Sequence, residues 1–308
     1  MSLFNIEIDS LTGDIDSITD RVVNNVIIPQ PPPPPPTVKF RIAVCFSGQA
    51  RYWKESVANI KRFFEFEYQH PETGLEVETD YFIHTWDTNT WRLPKTDHNV
   101  FEDVKHSDDD AIKEAYSPKG IIIEEYNKDR FIPRAFDPMF YSFARSMMLK
   151  RDYELTHSFQ YDLVIKARMD VVYSPARQFP LQRVWPGICY TTTPISKFAS
   201  EFNYNNFDDV LFYGDSPTMD LMGDLYTSHT ITRPLEYQYK NQKELNLDPV
   251  LYYGPGCLLY KYMTTLGIHP DGNRVFEYAV MRSTAVEAKL DSIYQYEEIR
   301  RKWFEWYI

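Results

Sequence analysis

Apolar and polar positions become regular only after residue 38. Phe40-Arg41-Ile42-Ala43-Val44-Cys45-Phe46 is a nearly continuous apolar run, the pattern of a short strand buried on both faces, and Ser47-Gly48-Gln49 stops it. From Tyr52 to Phe66 the period becomes helical, with Val57, Ile60, Phe63 and Phe64 on one face. Thr79 to His84 predicts a second strand closing at Thr85-Trp86-Asp87, and Gly120 to Glu124 a third. Asp137-Pro138 opens the clearest helix, with an acid at the N-cap and proline in the first turn. Its apolar face runs through Phe140, Phe143, Met147, Met148, Leu155 and Phe159. Leu163 to Ala167 predicts a fourth strand. Later strands are expected at 187–191, 210–213 and near 275–280, and helices at 216–228 and 249–266.

Strand–helix alternation of this kind predicts an α/β fold: a Rossmann-type, mainly parallel sheet with helices on both faces. In such sheets ligands bind outside the carboxyl ends of the strands. Three polar motifs fall at those predicted ends: Ser47 to Arg51, His84 to Asp87, and Arg168 to Asp170. The N-terminal region reads differently. Residues 1–28 form an acidic, aromatic-poor segment compatible with self-association or docking, and residues 29–37 hold the prolines Pro31 to Pro36 of a stiff polyproline linker. Residues 38–308 are expected to form one α/β domain.

Charge and cysteine usage narrow the partners. With 33 basic and 44 acidic side chains the net charge is −11, which argues against a face that wraps nucleic acid or lies on anionic lipid. A small phosphate-bearing ligand stays open, because two or three arginines at a cleft mouth suffice to hold one. Cys45, Cys189 and Cys257 lie far apart, without CxxC or metal-ligand spacing, and read as buried thiols of a reducing compartment. No apolar run approaches the ~20 residues of a membrane helix. The first ten residues lack the basic and apolar blocks of a signal peptide, so a cytoplasmic location is expected.

The motifs at the strand ends suggest anion chemistry. Ser47, Gly48, Gln49 and Arg51 would let the backbone approach a ligand closely, with Arg51 in the first turn of a following helix whose free N–H groups face an anion. The string is neither GxGxxG nor the Walker loop, and an ordinary strand-to-helix turn would also explain it. Asp87 could accept from a base or ribose hydroxyl, with Trp86 or Trp91 stacking on a ring; His84, without a second ligand at metal spacing, reads as a packed core histidine. Arg168 and Asp170 share one side of an extended chain. Asp170 could hold Mg²⁺ or Mn²⁺ against a diphosphate leaving group, Arg168 could neutralise that group directly, or the two could form an internal salt bridge. Asp208 or Asp209 could act as general base or second metal ligand, or simply build a turn. Asp108-Asp109-Asp110 matches a DxD string, but no buried strand precedes it and acids favour a helix start there.

FSGQARYW (46–53), YFIHTWD (81–87), YDLVIKARMDVVY (161–173) and DDVLFYGDS (208–216) together resemble a group of glycosyltransferase-like proteins from bacterial surface-polysaccharide loci, large phages and other DNA viruses. The resemblance spans 39–266 and implies a GT-A-like fold, a nucleotide-binding half joined to an acceptor-binding half. Arg168-Met169-Asp170 then stands where that fold carries DxD, with arginine in place of the first acid, and Gly254-Pro255-Gly256-Cys257 lacks the glutamate of related sequences. The expected activity is transfer of a sugar from a nucleotide sugar to a glycan or other hydroxyl acceptor, in the host cytoplasm if the protein is viral. A non-catalytic glycan- or nucleotide-binding module is the alternative. A sulfotransferase is disfavoured by the missing phosphosulfate loop.

Overall fold

A computed structural model describes residues 39–92, 101–105, 108–127, 137–173, 178–181, 183–191, 196–198, 204–232, 255–272 and 278–280. The acidic segment and the polyproline linker lie outside these residues. In chain order the elements are β1 (Lys39–Gly48), α1 (Trp53–Phe64), β2 (Glu76–Trp86), β3 (Thr88–Arg92), β4 (Phe101–Lys105), α2 (Asp109–Tyr116), β5 (Gly120–Glu124) and α3 (Asp137–His157). There follow β6 (Leu163–Ala167), β7 (Val171–Tyr173), β8 (Ile188–Thr191), β9 (Ser196–Phe198), β10 (Tyr204–Asn206), β11 (Phe212–Gly214), α4 (Ser216–Gly223), α5 (Leu225–Thr232), α6 (Pro255–Thr265), β12 (His269–Gly272) and β13 (Tyr278–Val280).

Seven strands form one sheet in the order β12-β8-β11-β6-β1-β2-β5. Every pairing is parallel except those of β11, which runs against both β6 and β8. The expected Rossmann-type α/β sheet is therefore present, with one reversed strand. The chain starts in the middle at β1, adds β2 and β5 on one side, and then crosses to β6 on the other. Right-handed crossovers in opposite directions must place their helices on opposite faces. Accordingly, Ile60, Phe63 and Phe64 of α1 and Ile112 and Tyr116 of α2 pack with Ile42, Val44 and Phe46 of β1. Phe140, Phe143 and Met147 of α3 pack with Ala43 and Cys45 on the other side. Successive β1 residues from Ile42 to Phe46 are thus buried alternately on the two faces, which is why the apolar run is unbroken there.

Several boundaries differ from the sequence expectation. The helix expected at 216–228 is two, α4 and α5, separated at Asp224; Asp215 caps the first by accepting from Thr218 N–H at 3.3 Å. Leu155 is 78% exposed and so leaves the apolar face assigned to it. Phe159 lies past the end of α3 and packs against the core from the following turn. The hairpin β3–β4, the short β7 and the strand β12 carry too few apolar residues, or too short a run, to have been expected. Residues 249–254 and 275–277 of two expected elements lie outside the described residues. Cys45 and Cys189 are free, fully buried thiols, as expected, and burial raises both thiol pKa values. The Cys257 side chain lies outside the described set. Among the described residues no helix is long and apolar enough to cross a membrane.

Candidate functional site

Because the chain turns from β1 to β2 and β5 on one side and to β6 on the other, the connections leaving β1 and β6 diverge at their carboxyl ends. Such a switch point is where open α/β sheets bind ligands. The register places Phe46 beside Ala167, Ser47 beside His84, and Gly48 beside Thr85. The three motifs read from the sequence therefore converge at one end of the sheet.

Gly48 holds φ at +112°, a conformation that L side chains rarely adopt, so glycine is required for the turn out of β1. Its N–H donates to Ser142 Oγ of α3 at 2.6 Å. Gln49 is part-exposed in that turn. Helix α1 starts only at Trp53, so Arg51 precedes it rather than occupying its first turn. The Arg51 guanidinium crosses instead to the segment after β6, where its Nη2 donates to Asp170 Oδ2 at 2.9 Å. Arg168 grips the same carboxylate as a fork: Nε to Oδ1 and Nη2 to Oδ2, both at 2.7 Å. The Asp170 side chain is 1% exposed, against 21% for Arg51 and 17% for Arg168. Burial raises the Asp170 carboxyl pKa, but the two guanidiniums outweigh it and hold the group below its ordinary range.

The backbone around this trio is strapped to α1. Ser56 Oγ donates to the Met169 carbonyl at 2.5 Å, and the Asn59 amide bonds both ways with the Tyr173 backbone, at 2.8 and 2.7 Å. Two hydroxyls at the same end of the sheet, Ser47 Oγ and Thr85 Oγ1, are buried without a hydrogen bond among the described residues. A buried polar atom in that state is costly unless a ligand or water meets it.

The second motif is built differently from the expectation. Trp86 is 1% exposed and its ring is enclosed, stacked at 5.6 Å on Tyr141 and edge-on to Tyr126 and His84. It packs the core and has no face open to a base. The Trp91 side chain lies outside the described residues. Asp87 is part-exposed and accepts from Thr88 Oγ1 at 2.8 Å and Tyr126 N–H at 3.0 Å, with Lys105 Nζ at 3.2 Å. Burial pushes its pKa up, but these partners prevail and lower it. His84 is fully buried, its Nδ1 2.8 Å from Ser142 Oγ and its Nε2 3.7 Å from Glu124 Oε1. Glu124 also takes Tyr141 OH and Arg145 Nε, at 2.8 and 3.0 Å.

Asp208 is buried and closes its own turn by accepting from Val210 N–H at 2.9 Å; Asp209 is half-buried. Lys166 of β6 is 1% exposed and reaches that turn, donating to the carbonyls of Asp209 and Val210. The sequence reading passed over Lys166, Ser142 and Glu124. The signal available for the first was a lysine inside an otherwise apolar strand, which must find buried acceptors. Asp108 lies beside the first turn of α2, bonded to Lys54 Nζ at 3.0 Å and Trp53 Nε1 at 3.3 Å at the start of α1. As a divalent-cation site Asp170 fits poorly, because both its oxygens are already held by guanidiniums.

The chain matches no known family model and no curated protein.

Proposed function

We propose that the chain is a glycosyltransferase that takes a sugar from a nucleotide-sugar donor, with the donor diphosphate lying over the gap between β1 and β6. One observation carries this reading. Two arginines from opposite sides of the topological switch point are held on one buried carboxylate and reach solvent there. The unpaired hydroxyls of Ser47 and Thr85 at the same end support it, as groups a bound ligand would satisfy. The resemblance in motif order supplies the reaction class, and the sheet agrees with the fold that the resemblance implies.

In this reading the sugar C1–O bond to the diphosphate breaks as an acceptor oxygen forms the new bond to C1. The guanidiniums stabilise the charge that develops on the departing diphosphate. Asp87, a carboxylate at the end of β2, accepts from a ribose or base donor in this reading. Asp209, more open than Asp208, takes the acceptor hydroxyl proton. Trp86 has no part in ligand stacking because it is enclosed.

A thermal-shift screen of UDP-, GDP-, CMP- and dTDP-sugars tests the site. A donor at 100 times its dissociation constant should stabilise the chain by ~2.7 kcal/mol, and the same donor should release nucleotide when an acceptor is supplied. Stabilisation without nucleotide release under any acceptor would turn the protein into a binding module. Absence of any shift in a folded sample would remove the donor site.

A further inference from the structure

We infer that the donor diphosphate is neutralised by Arg51 and Arg168 rather than by a divalent cation, and that Asp170 is the anchor that aims the two guanidiniums. The inference rests on the nucleotide-sugar reading of this site and goes beyond it in naming what meets the phosphate charge.

The geometry of Asp170 is that of an anchor. Its oxygens receive three charge-assisted bonds, the fork from Arg168 at 2.7 Å on each side and the single bond from Arg51 at 2.9 Å. Forks of this kind fix orientation as well as charge. A divalent cation seeking Asp170 would have to break these bonds and then sit against two guanidiniums. Exposure points the same way: the carboxylate is 1% exposed while the arginines are 21% and 17% exposed, so what faces solvent is the cations.

The arrangement is also rigid before any ligand arrives. Arg51 follows β1 and Asp170 follows β6, 119 positions further along the chain, so their ion pair clasps the two sides of the switch point. Ser56 and Asn59 hold the backbone of residues 169 and 173 on α1. Donors fixed in advance need little reorganisation when charge develops on the leaving group, and this fixed cradle can supply what a metal ion otherwise would.

The test uses the full chain and inorganic pyrophosphate, a probe that needs neither the right base nor the right sugar. Titration calorimetry in EDTA should show binding, and Arg168→Gln or Arg51→Gln should weaken it about tenfold or more. Arg168→Lys, which keeps the charge but loses the fork, is the milder variant should a glutamine substitution fail to fold. It should also bind more weakly. Mn²⁺ added alone should keep the spin-resonance signal of the free ion. Pyrophosphate binding seen only with Mn²⁺, or binding in EDTA indifferent to every arginine variant, would overturn the clamp and leave the transferase reading standing. No pyrophosphate binding under either condition also overturns the clamp. If the nucleotide-sugar screen is then silent as well, the transferase reading falls with it.

Discussion

Lys166 shows how much one buried side chain can report. It sits 1% exposed in β6, its ammonium held by the carbonyls of Asp209 and Val210. Burial pushes its pKa down to about 8 from the ordinary 10.5; Asp209 opposes that shift, Arg168 adds to it, and Asp208 and Asp170 oppose it more weakly. Between those two pH values the unfolded chain binds a proton that the folded chain does not, so stability should rise as pH climbs through the window. The slope is at most about 1.4 kcal/mol per pH unit from this group. Below pH 8 both states carry the proton and the full cost of burying the charge is felt. The buried thiols of Cys45 and Cys189, whose pKa values are raised, lose stability in part of the same window but do so equally in a Lys166→Met variant. Urea melts at pH 7.5, 9 and 10 should therefore show the native chain gaining stability relative to Lys166→Met as pH rises. Identical profiles would mean that Lys166 keeps its ordinary pKa. At this scale the sequence was partly legible. The spacing of Arg168 and Asp170 announced a shared face, and a salt bridge was among the readings. The Arg51–Asp170 bond could not be read, because only the parallel pairing of β1 with β6 brings residues so far apart into contact. Trp86 failed for a related reason: a tryptophan after a strand looks the same whether it faces a cleft or, as here, is enclosed by Tyr141, Tyr126 and His84.

Among the elements, α3 carries the least expected design. Its sheet-facing side is not purely apolar: Ser142, Ser146, Lys150 and Glu154 recur every fourth residue and are all buried. Lys150 bonds Glu154 at 2.8 Å, Ser216 at 2.6 Å and Asp220 at 2.7 Å, locking α3 to α4. At the other end Ser142 accepts from Gly48 N–H, meets His84 Nδ1 and donates to the His84 carbonyl at 3.1 Å. One helix thus ties the glycine turn of β1 to the end of β2. Ser142→Ala would strand the Gly48 N–H and the His84 ring in a dry interior. The expected cost is about 1–3 kcal/mol, seen as a lower denaturation midpoint with an unchanged slope. An effect below about 0.5 kcal/mol, the usual size for surface substitutions, would mean that water replaces the hydroxyl. The four-residue polar period was present in the sequence. The aromatic residues and methionines between those positions mask it, and a polar stripe normally marks a solvent face.

For the whole molecule, the parallel sheet followed directly from the strand–helix alternation, whereas its strand order did not. The reversal of β11 depends on pairings between β6 and β8 that local pattern does not encode. That order matters for function, because it puts the switch point between β1 and β6 and not elsewhere along the carboxyl edge. The net charge of −11 gives the molecule as a whole no attraction for an anionic nucleotide, so recognition must be local, at the few fixed cations. A spatial prediction follows, testable by hydrogen exchange with and without a saturating nucleotide sugar. Protection should gather at 47–51, 84–87 and 168–170, all at the carboxyl ends of β1, β2 and β6. The turns at the amino ends of β2 and β6, residues 70–75 and 158–162, should exchange as before, since ligand contacts at one end of a rigid sheet leave the other end's turn bonds alone. Protection confined to those amino-end turns would place the ligand on the wrong side of the sheet and remove the arginine clasp from its recognition.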